Sequence, residues 1–92
     1  MNFTHAIEFF FEGKEVGLID TTALRARPGK YSYEPYRGIG HYDFSMALRQ
    51  SGSVECYCES GKKAVVFTVT GIDADRRLIV SKVEAVKPSG AA

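Results

Sequence analysis

Long apolar runs, an excess of one charge, a cysteine framework and the common phosphate and nucleophile signatures are all missing from this chain. The longest apolar run, Ala-Val-Val-Phe at residues 64–67, is far short of the ~20 residues a helix needs to cross a bilayer. No basic stretch followed by an apolar one opens the sequence, so nothing marks it for secretion and the cytoplasm is the expected location. Twelve basic and eleven acidic residues leave a formal net charge of +1, and they are interleaved rather than blocked. No long-range field therefore draws the chain to nucleic acid or to an anionic membrane, and only a local patch could do so.

The two cysteines form a Cys56-Tyr57-Cys58 sequence. On a strand, positions two apart share a face but lie about 6.6–6.8 Å apart at Cα, the outer limit of disulfide geometry. Free thiols on one buried face are the simpler expectation, and they suit a reducing compartment. With His5 and His41 these cysteines reach the four ligands of a tetrahedral zinc, but none of the four is paired in a locally chelating turn. No metal and no cofactor are expected.

Arg37-Gly-Ile-Gly-His41 places two glycines just before a helical pattern, where main-chain N–H groups attract anions. The dinucleotide pattern nevertheless fails, because its third glycine falls on Asp43, and the lysine and hydroxyl of a phosphate loop are absent. Gly38 and Gly40 are better explained as a tight entry into the helix. His41 is the one plausible base near these glycines, yet nothing around it resembles a nucleophile elbow or a cysteine-protease signature, so no catalytic residue is assigned. Glu55 and Glu59, with Tyr57 between them, read as a solvated outer strand face.

What is present describes a small β-rich domain. The 92 residues allow one core, and the 45% hydrophobic and 25% charged fractions are ordinary for a globular chain. One domain is expected over residues 1–86, with a flexible tail over 87–92. Residues 3–12 alternate imperfectly and fit a strand or a helix; aromatic density and the turn at 12–14 favour the first strand of a hairpin, with residues 15–20 as the second. Residues 21–30 are ambiguous until Pro28-Gly29 forces a turn. Residues 31–34 read as extended, and Pro35 ends that strand or places it at an edge. A short helix is expected over about 41–50, stopped by Ser51-Gly52, followed by a meander over 53–59, 64–71 and 78–86. The fold class is thus mainly β (α+β): five or six antiparallel strands in a partly open barrel or curved sheet, with one short helix. Phe9-Phe10-Phe11 and Val65-Val66-Phe67 are apolar on both faces, so each strand needs cover on both, from the helix or from another subunit.

The segment over residues 31–42 gathers Tyr31, Tyr33, Tyr36 and Tyr42 with Arg37 and His41, and Arg25 and Arg27 lie just before it. Tyrosine and arginine together make protein hot spots and single-strand nucleic-acid platforms alike. Glu34, Asp43 and the small net charge favour a protein or peptide partner, a second copy of the chain included, over nucleic acid. The same rings could instead seal one end of the sheet. A non-catalytic binding or assembly module is the leading expectation, a weak single-stranded nucleic-acid binder the second, and a small enzyme or ligand-binding protein centred on His41 the third.

Overall fold

The computed structural model describes residues 5–88. Six antiparallel strands close into a ring: β1 (Ala6–Phe11), β2 (Lys14–Asp20), β3 (Gly29–Pro35), β4 (Val54–Ser60), β5 (Lys63–Ile72) and β6 (Arg77–Val86). Around the ring the order is β1-β2-β3-β6-β5-β4, and one helix, α1 (Ile39–Ser51), joins β3 to β4. The seams are unequal. β4 pairs with β5 from Val54 to Ser60 and β5 with β6 from Ala64 to Ile72, whereas β2 meets β3 over three residue pairs and β1 meets β4 over only two, Phe9↔Cys58 and Phe10↔Tyr57.

Local chemistry explains the turns. Glu12 and Gly13 both have positive φ, at 50° and 79°, the two-residue connection whose twist matches an antiparallel hairpin. A bulge in β2 sets Phe9 opposite Gly17 but Phe10 opposite Glu15, leaving Val16 as the extra residue, fully buried. The ambiguous residues resolve into a 3-10 turn at Thr21–Arg25, capped by the Asp20 carboxylate accepting from the Thr22 N–H at 2.9 Å. Between β5 and β6, Asp73 accepts from the main-chain N–H groups of Asp75 and Arg77, each at 2.9 Å, and pairs with the Arg77 and Lys30 side chains. These bonds hold its carboxyl below the usual carboxylate range, the main-chain donation from Arg77 first among them.

The helix begins at Ile39, two residues before the expected start, and ends at Gly52, which adopts the left-handed conformation and returns its N–H to the Leu48 carbonyl at 2.9 Å. Its early start depends on Gly40. A Cβ there would stand 2.0 Å from the Glu15 carbonyl oxygen of β2, so only glycine lets the first turn lie against the strand. Lys14 of β2 and Asp43 of α1 form an ion pair across the same contact. Phe44 then points into the ring. Its side chain is fully buried and meets Phe9 edge-on at 5.9 Å between ring centres, while Phe9 also packs on Tyr33 and Phe67. The helix therefore rests mainly on β2, and Phe44 plugs one end of the ring.

Strand alternation sorts the remaining apolar groups. Phe9, Phe11, Val65 and Phe67 face the core, and Phe10 and Val66 face outward, half-buried. Cys56 and Cys58 are free, buried and on the inner face of β4. Burial pushes both thiols up, Cys58 to about 12, so neither carries a thiolate near neutral pH. Among the described residues no helix is long and apolar enough to cross a membrane. Residues 3 and 4 of the first expected strand and residues 89–92 of the expected tail lie outside the described residues.

Candidate functional site

The eight residues singled out in the sequence are divided by the fold. Tyr31 and Tyr33 sit at alternate positions of β3 and both turn inward into the core. They are not at the surface, because two-residue periodicity on a strand that lines a core buries both or neither. The Tyr31 hydroxyl donates to the Arg27 carbonyl, and desolvation pushes both phenols up. Arg25 and Arg27 are exposed beside the 3-10 turn and do not reach the other candidates' cleft.

Tyr36, Arg37, His41 and Tyr42 do come together. With Pro35, Gly38, Ser45 and Arg49 they line a cleft of about 510 Å³ between the end of β3 and one flank of α1. The β3–α1 connection brings Tyr36 and Arg37 to the mouth, and helical spacing sets His41, Ser45 and Arg49 four apart along one side. Tyr42 is 58% exposed and Ile39 65%, one turn apart on the same helix, and only Ile72 joins them as an exposed large apolar residue among the described residues. Ile39 and Arg49 belong to this surface and were not singled out. For Arg49 the signal was present, since it follows His41 and Ser45 at helical spacing; for Ile39 it was not, because the helix was expected to begin at 41.

Electrostatics divides the cleft's roles. The Tyr36 hydroxyl donates to the Glu8 carboxylate at 2.8 Å, which pushes its pKa up to about 12 and turns it toward the sheet. Glu15 is also raised, because it shares a hydrogen bond with Glu8. Burial holds the His41 imidazole below its usual value, so it is neutral at physiological pH. Its Nε2 lies 3.4 Å from the Ser45 hydroxyl, and its ring packs 6.2 Å from that of Phe44. Among the described residues no carboxylate lines the cleft, and the charge on offer is that of Arg37 and Arg49.

A second, larger cleft of about 760 Å³ opens where β1 and β4 part. Phe10, Phe11, Cys56, Tyr57 and Val66 are its apolar lining residues, and Glu12, Glu55 and Glu59 are its charged ones. The reading of Glu55, Tyr57 and Glu59 as a plain solvated face missed it, although Phe10 breaking the polar face of the first strand was the visible clue. Among the described residues no group of three or more histidine, cysteine or acidic side chains is placed to hold a metal ion. Compared with models of known families, with curated proteins and with solved structures, the chain matches none.

Proposed function

We propose that this chain is a non-catalytic protein-binding module whose contact surface is the flank of α1 formed by Tyr36, Arg37, Ile39, Tyr42 and Arg49. One observation carries the reading: Ile39 and Tyr42, both more than half exposed, stand a turn apart beside two arginines on a helix otherwise anchored to the ring. Exposed apolar and aromatic groups beside guanidiniums are the usual anchors of an interface, and a neutral or acidic protein surface is the matching partner. The small net charge argues against a phosphate backbone, which binds through a marked basic excess. Buried, protonated thiols at Cys56 and Cys58 fit a reducing compartment and support a cytoplasmic setting.

A photo-crosslinking amino acid in place of Tyr42 tests this. It should give a discrete protein adduct, either with a second copy or with another chain, and Arg37→Glu should abolish it while the thermal midpoint stays within a few degrees. No discrete adduct, or one indifferent to Arg37→Glu, removes the reading. A nucleic-acid adduct that fades steeply with salt replaces it with the single-strand reading.

A further inference from the structure

We propose that the cleft between β1 and β4 is a second binding site, which takes an extended, lysine- or arginine-bearing segment of a partner protein as an added strand on β4. Three independent features converge on it. The first is the ladder. Every residue of β4 pairs with β5, but only Tyr57 and Cys58 pair with β1. Continuing that register would set Phe11 opposite Cys56 and Glu12 opposite Glu55, yet β1 turns away at Glu12-Gly13 to join β2. Among the described residues the β1 side of Val54, Glu55 and Cys56 has no ladder partner, and an extended chain laid there meets main-chain groups at strand spacing.

The second feature is the apolar row beside that edge. Phe10 is registered with Tyr57 and Tyr57 with Val66, so the three project from neighbouring strands on the outer face. Phe10 and Val66 are half-buried and both line the cleft. The third feature is charge. Glu12, Glu55 and Glu59 line the cleft and no lysine or arginine does. Glu59 accepts from the Tyr57 hydroxyl at 2.9 Å, so the charge argument rests on Glu12 and Glu55, both exposed. An added strand alternates its side chains, so its outward set shares the face that carries Tyr57, Glu12 and Glu55, and its inward set turns to the side of Val54 and Cys56. The ligand pattern is therefore basic residues at the outward positions, beside Glu12 and Glu55, with apolar residues at the inward positions between them, and an acidic segment or a nucleic acid is repelled.

The site shares no lining residue with the α1 cleft, so it can be tested apart from it. The probe is a short, end-capped peptide of alternating valine and lysine, followed by amide shifts of the labelled protein. Saturable shifts are expected at residues 54–57 and 66, with affinity about tenfold weaker in the Glu12→Gln, Glu55→Gln double variant and unchanged in Arg37→Glu. Methylating alternate main-chain nitrogens of the peptide should abolish binding, as should replacing its lysines by glutamate. Shifts confined to another surface, no saturation at millimolar peptide, an unweakened double variant, or equal binding by the methylated peptide each overturn the proposal.

Discussion

At the scale of single residues, two glycines that look equivalent in the sequence do different work. Gly40 touches the β2 backbone, whereas Gly38 is extended at φ 168° with no atom within 4 Å of where a Cβ would go. Gly38→Ala should leave the thermal midpoint nearly unchanged, and Gly40→Ala should cost about 1–3 kcal/mol or more by forcing the helix off the strand. Equal effects in denaturant melts would show that the first turn is not seated on Glu15. The sequence contained both glycines but not their neighbours, so a shared role in helix entry was the most it could support. Tyr36 gives a second prediction. An unfolded tyrosine ionises near pH 10, and the bond to Glu8 raises the folded value to about 12. The stabilisation is therefore complete below pH 10 and is lost as pH climbs toward 12. Tyrosinate absorbance should show this late step, and Glu8→Gln should bring it earlier.

At the scale of elements, the helix and the meander were legible and their cover was not. The apolar spacing of Phe44, Ala47 and Leu48 and the stop at Ser51-Gly52 located α1, but its seat on the end of the ring depends on the Gly40 contact and on the rings that Phe44 meets, neither of which periodicity shows. Tyr31 and Tyr33 illustrate the opposite failure: a cluster of four tyrosines looked like one surface, while strand geometry sends two of them into the core and leaves Tyr36 and Tyr42 beyond its end. Phe67 is fully buried against Phe9, so Phe67→Ala should cost about 3–5 kcal/mol. Phe44→Ala should cost a similar amount and also raise amide exchange along α1. If Phe44→Ala melts the ring and the helix with no difference in exchange between them, the helix is not a separable plug.

At the scale of the whole molecule, the inequality of the seams predicts a hierarchy of opening. Amide exchange should be slowest in β5, flanked by two long ladders, and fastest among the strands in β1, which holds β4 by two residue pairs. The thiols report the same hierarchy chemically. Cys56 lines the cleft beside the short seam and Cys58 stands within it, opposite Phe9, so Cys56 should be alkylated faster and Cys58 only once the seam opens. Matching rates at the two cysteines would mean that the ring opens as one unit.

The hairpin of β1 and β2 is set between the two shortest seams, and the exposed segment at Arg27 and Pro28 is its only covalent link to the other four strands. A chain cut at that link becomes a two-piece protein. The pieces should find each other in solution, because Phe9, Phe11, Val16 and Ile19 of one fill the space beneath Phe44 and Phe67 of the other. Mixing them should restore the native spectrum, and Phe9→Ala in the small piece should prevent it. Fused to two other proteins, such halves would signal that their carriers had met.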